Sequence, residues 1–213
     1  MNLKVSEIFY SLQGEGSRAG WPCLFVRLTG CNLRCDWCDT AHAWEGGGVM
    51  SIEQIEARLR TYPSCPLVAI TGGEPLLQSG CIPLMERLLE RGYQLVLFTN
   101  NSMDLSRVPK QVRKVVDLKA PSSLEVERNL WSNCALLRPT DEVKCVIADR
   151  EDYEWAVEKL LEQQLLDLLD VSMTPLQPDL EASLLAKWIL DDGLPIRLNL
   201  QLHKLLWGER VGV

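Results

Sequence analysis

The sequence predicts an α/β fold: an incomplete (β/α) barrel of six to seven mostly parallel strands with few helices. Short apolar runs recur along the chain, turn residues separate them, and most are followed by a helical pattern. Strand–helix–strand alternation is the mark of a parallel sheet with right-handed crossovers. The chain has 213 residues, whereas a closed eight-fold barrel typically takes about 250. A splayed barrel, in one domain spanning 1–213, fits that count.

The elements follow in order. Val5–Gln13 alternates loosely and is expected beside the barrel mouth, outside the main pattern. Core strands are expected at Leu24–Leu28, Leu67–Thr71, Gln94–Thr99, Lys114–Leu118, Val143–Ile147, Leu168–Ser172 and Pro195–Leu200. They are short and often continuously apolar, as strands covered on both faces must be. Ser51 and Gln54 form a capping box ahead of Ile52, Ile55 and Leu59 at helical spacing. Ile82–Arg91 stops at Gly92, a natural C′ glycine. Asp149 can cap a helix running to about Gln164, and Pro178 opens another that ends near Gly193.

Composition narrows the function classes. Apolar residues make up 46% and charged residues 24%, the balance of an ordinary soluble domain. A net charge of −7 lacks the basic footprint of a nucleic-acid binder, while a local arginine or lysine still permits an anionic small substrate. No run of 18 residues is free of charge, so no membrane span is expected. The opening MNLKVSEIFYSLQGEG has no apolar stretch after a basic start. A cytoplasmic protein is expected.

Eight cysteines in such a chain point to metal or catalysis before disulfides. Cys23, Cys65, Cys81, Cys134 and Cys145 are scattered among apolar neighbours and read as small buried hydrophobes. Cys31, Cys35 and Cys38 are grouped in GCNLRCDWCDT, after the first core strand, at the end where parallel α/β folds place their active sites. Iron–sulfur clusters usually take four cysteinates. Three grouped cysteines with no fourth nearby leave one iron open to a ligand, as catalytic zinc keeps an open position. A zinc site completed by His42 is the competing metal reading, although zinc usually takes CxxC pairs.

CxxxCxxC in this position resembles the radical SAM superfamily, whose open iron binds the amino and carboxylate groups of S-adenosylmethionine (SAM). Thr71–Gly72–Gly73–Glu74–Pro75 resembles the superfamily's amino-group site, and Thr99–Asn100–Asn101 is a weaker echo of its strand-end contacts. SLQGEG (Ser11–Gly16), FVRLTGC, CDWCDT, TGGEP, DLKAPSS (Asp117–Ser123), EVKCVIAD and the ending RLNLQLHKLLWGERVGV together resemble the 7-carboxy-7-deazaguanine synthases of queuosine and deazapurine biosynthesis. That likeness runs over nearly the whole chain.

The resemblance implies a radical SAM lyase that contracts the ring of 6-carboxy-5,6,7,8-tetrahydropterin and releases ammonia. It implies a 4Fe–4S cluster on Cys31, Cys35 and Cys38, SAM as a regenerated cofactor, and Mg2+ at Thr40. It assigns SAM contacts to Trp37 (under the adenine), Cys38, Asp39 and Gly73. Further SAM contacts are Asp117, Leu118 and Lys119, where the family usually has SPK, and Ser172, Met173, Thr174 and Pro175. It assigns substrate contacts to Leu12, Gln13, Gly14, Arg27, Thr71, His203 and the Val213 carboxylate. For Arg27 the chemistry agrees, since a guanidinium can clamp a carboxylate in bidentate fashion. A homodimer and a flavodoxin- or ferredoxin-like one-electron reductant are the implied partners. A glycyl-radical activating enzyme shares the cluster loop and SLQGEG but acts on a protein. A non-catalytic iron–sulfur electron carrier would normally close all four iron positions.

Overall fold

The strand that carries Arg27, β2 (Pro22–Leu28), shows how the sheet is built. Leu24, Val26 and Leu28 are buried in the core, while Phe25 and Arg27 face an internal cavity. That is the period-2 outcome of a pleated strand. The fold described here is a computed structural model covering residues 1–208, 210, 212 and 213. After β2 come β4 (Leu67–Gly72), β5 (Gln94–Thr99), β6 (Arg113–Leu118), β7 (Glu142–Ile147), β8 (Asp170–Pro175) and β9 (Ile196–Leu198). Each pairs in parallel with the one before it. These are the seven apolar runs of the sequence.

Two boundaries differ from the expected ones. β8 starts after Leu168 and Leu169, whose amides turn back onto Leu165 O, and it continues through Thr174 and Pro175 beside Val146 and Ile147. β9 is shorter than Pro195–Leu200: its pairing with β8 ends at Leu198, where Asn199 N donates the last ladder bond to Met173 O at 2.8 Å.

The larger correction is at the start of the chain. β1 (Asn2–Leu12) is part of the sheet, antiparallel to β2 from Val5↔Leu28 to Leu12↔Pro22, and its other edge carries β3 (Gly48–Ser51), also antiparallel. The sheet is open, in the order β3-β1-β2-β4-β5-β6-β7-β8-β9. β1 was hard to see because its register shifts between Val5 and Glu7. A bulge of that kind breaks a strict two-residue alternation.

Helix α1 (Ile52–Leu59) has both halves of the expected capping box: Gln54 N donates to Ser51 Oγ and Ser51 N to Gln54 Oε1. α2 (Cys81–Glu90) packs on β5, and α3 (Arg150–Glu162), capped by the Asp149 carboxylate, packs on β7. α4 (Ala182–Asp192) covers β8 and β9 and ends at Gly193, whose φ of 62° suits a C′ glycine. Pro178 does not open it: Leu176–Leu180 forms a separate turn, and the helix begins at Ala182. A short α5 (Leu202–Trp207) was not anticipated. β5–β6 and β6–β7 are joined without an α-helix, the latter through the 3-10 turns Pro121–Ser123, Val126–Arg128 and Trp131–Leu136. The paucity of helices has its origin there.

The segment after β1 bridges the open side of the sheet. Gly14 O accepts from Leu202 N at 3.0 Å, and Gly16 N donates to Asn199 Oδ1 at 3.2 Å. Ser17 N and Oγ donate to the buried Glu142 carboxylate at 2.7 and 2.6 Å. SLQGEG is therefore the piece that spans the gap between the first strands and the last.

Candidate active site

The loop leaving the carboxyl end of β2 carries Cys31, Cys35 and Cys38 into the wall of a cavity of about 270 Å³. All three are free, half-buried thiols. Leu33 N and Asn100 Nδ2 donate toward Cys31 Sγ at 3.4 and 3.6 Å. Burial pushes the Cys35 thiol up to about 11 and moves Cys31 in the same direction. Thiols of this kind stay protonated until a metal centre supplies the positive charge that a thiolate needs. Among the described residues no three His, Cys, Asp or Glu side chains converge on a single-ion position. The three thiols share one cavity wall, and His42 turns away to Glu7, 3.4 Å from Oε1. Gly73, at the end of β4, lets the backbone close on this loop: a Cβ there would collide with Gly30 O and would sit 2.6 Å from Cys31 Cβ. The donor set fits a three-cysteine cluster.

Glu74, next to Gly73, was read only as part of the TGGEP motif, with no role of its own. It is fully buried and accepts from Leu76 N (3.0 Å), Thr99 Oγ1 (3.0 Å) and Asn100 N (2.7 Å). It thereby ties the end of β4 to the end of β5 and sets Asn100 over Cys31. Burial pushes its carboxyl up, against the pull of those three donors. The signal was a lone acid between a strand-end glycine pair and a proline.

The rest of the lining carries a chain of charges that begins beside Cys35. Trp37 is pinned by Nε1 to Ser122 Oγ at 3.0 Å, and Lys119 Nζ lies 5.1 Å from its ring centroid. Lys119 pairs with Asp117 at 3.0 Å, Asp117 lies 3.8 Å from Lys144, and Lys144 pairs with Glu15 at 2.6 Å. Gln201 Nε2 then bridges Glu15 (2.9 Å) and Asp39 (3.0 Å). Burial pulls the Lys144 ammonium down, but the Glu15 and Asp117 carboxylates outweigh it and leave it raised. Burial likewise pushes Glu15 up, and Lys144 brings it below the usual carboxylate range. Lys144, Glu15 and Gln201 were missed, although a charge inside the apolar EVKCVI strand is the same signal that marked Arg27. Two buried polar atoms in this wall have no partner among the described residues: Gln13 Nε2, a donor, and Asp117 Oδ1, an acceptor.

Arg27 is side-on to Glu7, with Nε 2.6 Å from Oε1, and its guanidinium lies 5.7 Å from the Phe9 ring centroid. It is not a snorkelling surface side chain. Leu12, Gln13, Gly14, Thr71, Gly73, Trp37, Asp39, Thr40, Asp117, Lys119, Pro175, His203 and Val213 all line the same cavity. His203 sits directly on Gly14, where any side chain would collide with its ring. Thr40 Oγ1 is 3.8 Å from Cys38 Sγ. Four expected SAM contacts lie outside the cavity wall. Leu118 and Met173 occupy the opposite strand faces, inside the core, while Ser172 and Thr174 are buried beside β7 and β9, with Thr174 Oγ1 taken by Asn199 Nδ2 at 2.9 Å. Of the scattered cysteines, Cys23, Cys65, Cys81 and Cys145 are buried as expected, and Cys134 is only half-buried.

Known proteins are similar to this chain in sequence and fold. The family model of the radical SAM superfamily matches residues 25–128. The 7-carboxy-7-deazaguanine synthase of Chlorobaculum tepidum is 44% identical, over 96% of this chain and 94% of its own. That of Koribacter versatilis is 42% identical, over 96% and 97%. The crystal structure of QueE from Escherichia coli superposes with a TM-score of 0.75 at 26% identity, covering 95% of both chains. Streptococcus suis SuiB, at 15% identity and a TM-score of 0.58, shares the fold over 81% of this chain and 47% of its own.

Proposed function

The chain belongs to the 7-carboxy-7-deazaguanine synthase family of radical SAM enzymes, and from that premise we propose that it contracts the ring of 6-carboxy-5,6,7,8-tetrahydropterin to 7-carboxy-7-deazaguanine, releasing ammonia. Its cofactors are a 4Fe–4S cluster and SAM. When bound, they supply an electron and a 5′-deoxyadenosyl radical able to take hydrogen from the pterin. Everything else is the work of the chain's own residues.

The observation that carries the reading is that Arg27 and the three cysteines line one cavity. Arg27 offers a fixed guanidinium to the substrate carboxylate. Gln13 offers a buried, unpartnered N–H, and Leu12 and Gly14 add backbone groups, so the ring edge meets donors already in place. Thr71, His203 and Val213 complete the substrate side. Trp37, Cys38, Asp39, Gly73, Asp117, Lys119 and Pro175 would hold SAM, whereas Leu118, Ser172, Met173 and Thr174 lie outside the cavity lining. Thr40 Oγ1 would hold Mg2+, with the adjacent Asp39 acting through water. The protein works as one domain, as a homodimer in the cytoplasm, with a flavodoxin- or ferredoxin-like reductant. No helix among the described residues is long and apolar enough to cross a membrane. The small-molecule cavity and the named relatives favour this reading over a glycyl-radical activating enzyme or an electron carrier.

The test is anaerobic reconstitution with iron, sulfide, SAM, Mg2+, reductant and carboxytetrahydropterin, followed by mass spectrometry. The deazaguanine product is expected. SAM cleavage with the pterin left intact would sink the substrate assignment.

A further inference from the structure

Three parts of the site meet at Glu7. It stands opposite Arg27 across the β1–β2 ladder, immediately after the register shift at Val5, and its side chain is 18% exposed. Its Oε1 accepts from Arg27 Nε at 2.6 Å and lies 3.4 Å from His42 Nε2 of the cluster loop. Two residues along the same strand, Phe9 supports the guanidinium and is itself stacked on Phe25, ring centroids 4.7 Å apart and 4° from parallel.

A guanidinium has two edges that can grip a carboxylate, one through Nε and one through the two Nη atoms. Glu7 occupies the first. Among the described residues nothing accepts from the second, and Arg27 lines the cavity. We propose that Glu7 is a positioning residue that aims Arg27: by holding the Nε–H it turns the Nη edge toward the cavity and makes the site selective for a carboxylated ligand. This rests on the reading of Arg27 as the carboxylate clamp. Without Glu7 the guanidinium keeps its charge and its aromatic support but loses the contact that fixes its rotation about the side-chain axis. Glu7 also neutralises a half-buried cation while no substrate is present, so the site need not be charged to be ready.

The experiment uses the reconstituted holoenzyme and two probes: carboxytetrahydropterin, and the same pterin with a hydroxymethyl group in place of the carboxylate, measured as a competitive inhibitor. Glu7→Met keeps the length of the side chain and removes the acceptor. It should raise KM for the carboxylated pterin about tenfold, lower kcat far less, and leave the inhibitor constant of the hydroxymethyl pterin within about twofold, the signature of lost binding at one group. Glu7→Gln keeps an oxygen for the Nε–H and should return KM most of the way to the parent value. An unchanged or lowered KM in Glu7→Met overturns the proposal, provided that Arg27→Ala raises it. If Arg27→Ala itself no longer separates the two probes, the clamp reading fails instead. Loss of cluster loading in Glu7→Met would also overturn it, because Glu7 would then be serving the cluster loop through His42.

Discussion

The two walls of the cavity are built in opposite ways. The cluster wall is local in sequence: three cysteines lie within eight residues, and Gly73 and Glu74 are adjacent. The charged wall is assembled from distant pieces, with Glu15 on Lys144, Gly16 on Asn199 and Gln201 on both Glu15 and Asp39. The superfamily match stops at residue 128, before Lys144, Asn199 and Gln201. The shared radical chemistry thus sits on a compact stretch, and the closure that shapes the substrate side depends on the rest of the chain. If this division is physical, either wall should be breakable while the other persists.

The largest expected effect is on the cluster wall. Cys35→Ala removes one of three thiolates and should abolish cluster assembly and turnover, read as iron content and product. Cys134→Ala, away from the cavity, should keep both. A fully active Cys35→Ala enzyme would end the cluster assignment.

Next is the charged wall. Lys144→Met leaves the part-buried Glu15 carboxylate without its cation, while Asp117 keeps Lys119, and breaking such a pair costs up to about 3–5 kcal/mol. Denaturant unfolding of the cluster-free protein should show that loss, while iron loading under native conditions persists. Simultaneous loss of the cluster would show that the walls are coupled and that the division is wrong.

The two walls should also answer pH differently. Cys31 and Cys35 have raised folded values, about 11 for Cys35, so both are protonated at neutral pH and must release protons to bind iron. Cluster affinity should therefore rise with pH, by about 1.4 kcal/mol per pH unit for each such thiol, as measured by chelator competition between pH 7 and 9. Glu15 has a lowered folded value, so its stabilising contribution is present above its ordinary pKa of 4.5 and is lost as pH falls through the folded value. Acid should loosen the charged wall, and mild alkali should strengthen the cluster wall. A cluster affinity that falls from pH 7 to pH 9 would contradict the first half.

The smallest effect sharpens the seam between them. Thr40 lies beside Cys38 and lines the cavity. Thr40→Ser should keep most of the magnesium stimulation and Thr40→Val should lose it, with cluster content unchanged in both. Equal stimulation in Thr40→Val and the parent would leave the metal to Asp39 and the substrate.

The cluster loop, the seven parallel strands and the capped helices α1 and α3 were legible in the sequence, because each is specified by residues close together. Cysteine spacing, apolar runs and a capping box are short-range physics, and they survive without a partner in view. β1 was misplaced because a register shift scrambles its alternation, and α5 because it was read only as part of the ending QLHKLLW. Of the candidate site, the cavity-lining residues Gln13, Arg27, Thr40 and His203 were named from motifs, while Glu7, Glu15, Glu74, Lys144 and Gln201 were not assigned. Ionic and hydrogen-bonded partners far apart in the chain carry no period and no fixed spacing, so their pairing exists only once the strands are in register. The sequence by itself determined which residues bring thiols and charge to the carboxyl end of the sheet. Tertiary structure decided which charge faces which: Glu7 meets Arg27 through antiparallel pairing, and Lys144 meets Glu15 because the loop after β1 spans the open barrel.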